Sequence, residues 1–282
     1  MHGLTTPTLT VSRYESRPWI RTLRNVEKSL RGGRARLIAL VLAIGLPVLA
    51  VVLGLMQQGL PAETIPPPLD AEPGRWIDID GAQNTRDIGG YVTADGRTVR
   101  RSAVYRSGTL SHVTDAGCDT FTDLGVATVV DYRNRLLPVP LYNGDVFCVH
   151  RAVKMYGFPV SFRSEGPEAG RYLQGLEENA EAFCDTFDLL AEPERLPLMY
   201  HCAAGTDRTG VMTALLLRLL GVDRNTVLDD FKLSAKVGTP GNLEGMLALL
   251  DEVETAGGIE TFLERLGVPA TVQQRVRENL LE

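Results

Sequence analysis

Residues 194–220, ERLPLMYHCAAGTDRTGVMTALLLRLL, decide the fold. The apolar run of Leu196, Leu198, Met199 and Tyr200 halts at His201 and Cys202, a short stretch of small and polar residues follows, and Arg208-Thr209-Gly210 opens a strongly apolar helical pattern. That order predicts a strand, a tight loop and a helix. The first N–H groups of a helix have no partner inside it and carry a partial positive charge, so this loop is suited to an oxyanion. A cysteine at such a position is favoured as a nucleophile.

The interval from Cys202 to Arg208 lets the loop wrap one tetrahedral dianion. Ala203, Ala204, Gly205, Thr206, Asp207, Arg208 and Thr209 form the expected phosphate-binding set, with backbone amides pointing inward and Arg208 gripping two oxygens. Cys202 lies below the phosphorus for in-line attack. Gly205 provides the conformational freedom of a curled loop. The Thr209 hydroxyl is placed to hydrogen-bond the Cys202 sulfur as it leaves a phosphoenzyme.

The string His-Cys, five residues, Arg, Thr, Gly resembles the signature of the cysteine-dependent protein tyrosine phosphatase superfamily. HCAAGTDRTG is similar in particular to a bacterial tyrosine phosphatase subfamily whose loop usually reads HCxAGKDRTG. The resemblance extends to Asn84, Arg86, Asp87, Gly89 and Gly90 (NxRDxGG), to Tyr105–Gly108 (YRSG) and to GGIETFLERLGV near the end, so it covers roughly residues 75–282. It implies an α/β fold with a central, mostly parallel sheet flanked by helices. It also implies hydrolysis of phosphotyrosine, and of other phosphate monoesters, through a cysteinyl-phosphate on Cys202, with Arg208 stabilising the transferred group. Some members of the subfamily act on phosphoinositides. The usual lysine of the loop stands here as Thr206, which removes a cation from the rim and weakens that alternative. A catalytically weak phospho-ligand binding module is the other alternative, and the intact Cys202 and Arg208 argue against it.

The general acid is less legible. The Trp-Pro-Asp string of many tyrosine phosphatases is absent, and two aspartates match ones common in the subfamily. Asp131 follows the buried-strand pattern Val126–Val130, and ligands of open parallel sheets bind beyond the C-terminal strand ends. It is therefore favoured for approach from across the pocket. Asp207, beside Arg208, is the second candidate, with orientation of Arg208 or of the loop as its other reading. His201 reads as a support for Cys202, and Asp87 and Arg106 as structural ion-pair partners.

Elsewhere, Thr114 is a helix cap for a segment running to Leu124, and residues 145–153 read as a strand. Residues 154–170, rich in glycine and proline, read as a lid loop. Helices are expected over 171–191, 224–235, 242–255, 259–266 and 271–281.

Charge is uneven along the 282 residues. Residues 1–36 carry eight Lys/Arg against two Asp/Glu, a net +6, while the whole chain is −6, leaving −12 on residues 37–282. So acidic a catalytic region argues against nucleic acid as a partner. Residues 1–36 read as a basic cytoplasmic arm, and residues 37–56, twenty without a charge, as a transmembrane helix. Residues 57–74, with five prolines, read as a linker, and 75–282 as the phosphatase domain. Basic residues precede the apolar stretch, so positive-inside logic places the protein at the cell membrane as a single-pass chain, N-terminus cytoplasmic and catalytic domain extracytoplasmic. The expected partners are thus a phosphorylated protein or phosphate-monoester substrate and the membrane. Cys118, Cys148, Cys184 and Cys202 show no metal-ligand spacing, so neither metal nor cofactor is implied. One disulfide among the first three is compatible with the sequence, which leaves its pairing and the oligomeric state open.

Overall fold

The computed structural model describes residues 74–133, 153–162 and 168–282, all within a compact unit spanning Ile65–Glu282. Among them are five strands, β1 (Arg86–Asp87), β2 (Val104–Ser107), β3 (Thr128–Asp131), β4 (Lys154–Gly157) and β5 (Leu198–His201). They form one sheet in the order β1-β2-β5-β3-β4, parallel except for the antiparallel β1–β2 pair. Every residue of β2, β3 and β5 is buried, as expected of strands covered on both faces, whose sequences do not alternate with polar residues.

The helices are α1 (Asp115–Asp123), α2 (Arg171–Glu178), α3 (Ala180–Leu190), α4 (Asp207–Leu219), α5 (Arg224–Leu233), α6 (Leu243–Thr255), α7 (Ile259–Leu266) and α8 (Ala270–Leu280). Side chains alternate across a strand, and the sheet sorts its residues accordingly. Tyr105, Val129 and Met199 pack with Phe121 of α1 on one face. Val104, Val130, Leu198 and Tyr200 face the larger core, built with α2 to α8. Thr114 caps α1, its hydroxyl accepting from Gly117 N at 3.2 Å. The α/β architecture expected from the sequence is therefore the one observed.

Several local expectations change. The helix expected over 171–191 is two helices, broken at Asn179, whose side-chain amide donates to Gly175 O at 2.6 Å and Ser161 O at 3.1 Å while its oxygen accepts from Ser161 N. Part of the expected lid is regular structure, since Lys154–Gly157 is edge strand β4 paired with β3. Residues 163–167 and 145–152 lie outside the described residues. Cys118 is disulfide-bonded, whereas Cys184 and Cys202 are free.

The expectation of a single-pass protein at the cell membrane is corrected. The helix expected over 37–56 lies outside the described residues. Among the described residues no helix is long and apolar enough to cross a membrane. The longest, α4 and α6, have 13 residues each, about 20 Å of helix against a hydrocarbon layer of ~30 Å. The membrane location, and the orientation built on it, are withdrawn.

Candidate active site

Register brings the C-terminal ends of three parallel strands level: Ser107 of β2 and Asp131 of β3 both lie opposite His201 of β5. Cys202 follows directly and is buried. The chain then curls through residues 203–206 into α4, which packs behind β2 and β5. Cys202 thus sits at the C-terminal edge of the sheet and at the N-terminal end of its most buried helix.

The loop is held by its carbonyls. Ala203 O accepts from Thr109 N at 2.8 Å, Ala204 O and Gly205 O from Asn84 Nδ2 at 3.0 and 3.1 Å, and Gly205 O also from an Arg106 guanidinium nitrogen at 2.8 Å. Thr206 O accepts from Gly210 N at 2.7 Å. With each carbonyl fastened to the scaffold, the peptide planes turn their N–H groups the other way. Among the described residues, none of the amides of residues 203–208 donates a hydrogen bond. Six main-chain donors are therefore left for a ligand.

The fastening has its own foundation. Arg86 donates to Asn84 Oδ1 at 2.5 Å, and since a guanidinium only donates, this fixes the Asn84 amide with its NH2 toward the loop. Arg86 and Arg106 converge on Asp230 of α5, at 3.2 and 2.6 Å. Tyr91 adds a hydroxyl at 3.0 Å. Burial alone would raise the Asp230 carboxyl, but the two guanidiniums outweigh it and hold the group well below the usual carboxylate range. Burial and Arg86 push Arg106 below its ordinary value, opposed by Asp230, Tyr200 and Cys202. Two buried cations share one buried anion, so the underside of the loop carries an excess positive charge. Arg106 is a structural ion-pair partner as expected, but its partner is Asp230. Asp87 instead accepts from Gly89 N and Ser102 N at 2.7 and 2.9 Å.

The two candidate acids occupy different environments. Asp131 is buried, with both oxygens engaged by Arg133 at 2.7 to 3.1 Å and with His201 Nε2 at 3.8 Å. Arg133 in turn donates to Thr109 and Ser111. Asp207, the first residue of α4, is partly exposed. Its Oδ1 accepts from the Tyr172 hydroxyl and, at 3.4 Å, from Asn242 N. Its Oδ2 makes no hydrogen bond to a described residue.

Arg208, also partly exposed, donates from one terminal nitrogen to Tyr132 O at 3.0 Å and Val160 O at 3.4 Å, leaving its other donors for a ligand. The Thr209 hydroxyl is buried without a partner. Thr206 differs from expectation. Only 1% exposed, its hydroxyl donates to Thr239 O at 3.0 Å, so it offers the loop an amide and no side chain at the rim.

The loop gathers unpaired main-chain donors above a buried cysteine, an arrangement suited to an anion, and the comparisons place the chain in one family. Residues 77–242 match the model of the tyrosine phosphatase family, and the chain belongs to that family, one of phosphoric monoester hydrolases. A Cupriavidus necator protein named among the tyrosine-protein phosphatases is 29% identical over 184 residues, 54% of this chain and 60% of its own length. The triple specificity protein phosphatase PtpB of Mycobacterium tuberculosis is 26% identical over 252 residues, 73% of this chain and 88% of its own. A tyrosine-protein phosphatase of Nostoc commune is 30% identical over 144 residues, 47% of this chain and 48% of its own. The chain thus spans between about half and nine-tenths of the length of these relatives.

Proposed function

We propose that this protein hydrolyses phosphotyrosine, and other phosphate monoesters, through a cysteinyl-phosphate on Cys202, with residues 75–282 as the catalytic region. The observation that carries the reading is the loop whose carbonyls are all fastened outward, leaving the amides of residues 203–208 and Arg208 around the mouth of Cys202. The Cys202 sulfur attacks phosphorus, the P–O bond to the leaving group breaks, and the amides with Arg208 take up charge on the three equatorial oxygens. Thr209, whose buried hydroxyl makes no hydrogen bond to the sulfur in this structure, is the donor we assign to the sulfur for the step in which water displaces it. The breadth of the substrate class draws on the mycobacterial relative, whose name gives it three specificities.

The sequence favours Asp131 as the acid that protonates the leaving oxygen. The contacts support Asp207. Both oxygens of Asp131 are engaged by the Arg133 guanidinium, which suits it to fixing Arg133 in place. Asp207 keeps one oxygen free and is accessible. After the first step it would take the proton of the attacking water.

The test is phosphate release by the full chain from phosphotyrosine peptides, phosphoserine peptides and inositol lipids, with trapping of the phosphoenzyme. Cys202→Ser should abolish turnover and trapping together. Turnover by that variant at the wild-type rate, or none by the wild type on any of the three, would refute the reading.

A further inference from the structure

Tyr172 lies in α2, far from the loop in sequence, and its contacts bear on the direction in which Asp207 presents a proton. Its ring is almost fully buried, set against Phe162 at 5.3 Å and edge-on to Phe231 at 6.2 Å. The oxygen alone reaches polar groups. Asn242 N–H donates to it at 3.0 Å, and it donates to Asp207 Oδ1.

A tyrosine hydroxyl has one proton. Because a backbone N–H can only donate, the bond from Asn242 must end on the tyrosine oxygen, and the hydroxyl proton is then committed to Asp207. An oxygen that already accepts from Tyr172 and from Asn242 N has little room for a proton of its own. The relay therefore runs one way, from Asn242 through Tyr172 to Oδ1, and leaves Oδ2 as the oxygen that carries the acidic proton. Burial, followed by the Asp207 charge, raises the Tyr172 hydroxyl above its ordinary value, so it stays a donor throughout the neutral range.

Asn242 is itself immobilised. Its side-chain oxygen accepts from Gly245 N at 2.9 Å, capping α6, and its Nδ2 donates to Glu168 O at 2.7 Å. We infer that Tyr172, oriented by Asn242 N–H, is a positioning residue that commits the proton of Asp207 to Oδ2, facing the leaving group. The inference rests on the reading of Asp207 as the acid.

The experiment compares kcat/KM, which reports the step in which the leaving group departs and not the later hydrolysis common to both esters, for phenyl phosphate, whose leaving group needs a proton, and for 2,4-dinitrophenyl phosphate, whose leaving group does not. It uses the full chain as wild type, Tyr172→Phe, Asp207→Asn and the double variant. Tyr172→Phe removes one oxygen and keeps the ring. It should lose about tenfold more on phenyl phosphate than on the dinitrophenyl ester, a fraction of the 10²–10⁴ that general acid catalysis contributes. Added to Asp207→Asn it should cost nothing further on phenyl phosphate.

Equal losses on both esters, or a full additional loss in the double variant, would mean that Tyr172 only supports the fold, and would overturn the inference while leaving Asp207 as the acid. If Asp207→Asn itself shows no difference between the esters, the assignment of the acid fails and the inference falls with it.

Discussion

At Gly205 two requirements meet. Its φ of +70° lies in the left-handed region, and a Cβ there would stand 2.6 Å from both Gly108 N and Ser107 O. Neither obstacle is a flexible side chain, so the loop itself would have to move. Gly205→Ala should cost about 1–3 kcal/mol of stability and, by displacing the amides that on the proposed reading hold the phosphoryl group, roughly 100-fold in kcat/KM. Thermal unfolding and phosphate release read the two effects separately. The loop was legible because its parts are contiguous and each residue type has a spacing-dependent role. Its supports were not. Asp229 and Asp230 are adjacent and identical in type, yet the first is exposed and pairs with Lys232, while the second is buried beneath the loop between two arginines. Only the partners, more than 100 residues earlier, distinguish them. The same holds for Tyr172, which in sequence is one aromatic residue on an amphipathic helix. Asn84 was visible as part of a motif, but its grip on the loop carbonyls required the fold.

Among the elements, α5 links the two halves of the site. Asp230 anchors Arg86 and Arg106 under the loop, and the next residue, Phe231, packs edge-on to Tyr172 behind Asp207. Because the Asp230 carboxyl is held below its ordinary 3.8 in the fold, the unfolded chain binds that proton first. Its contribution is complete above 3.8 and drains away as the pH falls below it. Asp230→Asn should therefore lower stability at neutral pH by about 3–5 kcal/mol, the cost of stranding buried charge. The gap to wild type should narrow as pH drops from about 4 toward 2. Urea denaturation across that range tests it, and a gap independent of pH would contradict the role assigned to the ion pair. The elements themselves were readable where apolar periodicity is strong, as in α4 and α6. They were misread where one tertiary contact overrides local preference. Asn179 interrupts a helical stretch because its amide ties Ser161 to Gly175, and β4 reads as loop because three of its four residues are exposed on the sheet edge, which erases the alternation that marks a strand.

On the scale of the described domain, distant parts of the sequence close on each other. Residues 98–100 pair with 280–282 through Thr98 N to Glu282 O at 2.8 Å, Arg100 N to Leu280 O at 2.8 Å and Glu282 N to Thr98 O at 3.0 Å, with Leu280 and Leu281 buried. Deleting residues 280–282 should destabilise the domain by about 2–5 kcal/mol, mainly through the lost leucines, while leaving the geometry of the distant loop intact. A lower Tm with kcat retained below the transition is the expected outcome. No periodicity announces such a closure, since it consists of three main-chain bonds between segments without a strand pattern. The outward fastening of the loop carbonyls has a further consequence. On the proposed reading, recognition of the phosphoryl group falls to Arg208 and otherwise to peptide units, which every amino acid possesses, so Ala203 and Ala204 can drift without erasing it. Discrimination among substrates must then be inscribed in the surrounding walls, contributed by other segments, and evolution is free to rewrite the address while keeping the reaction.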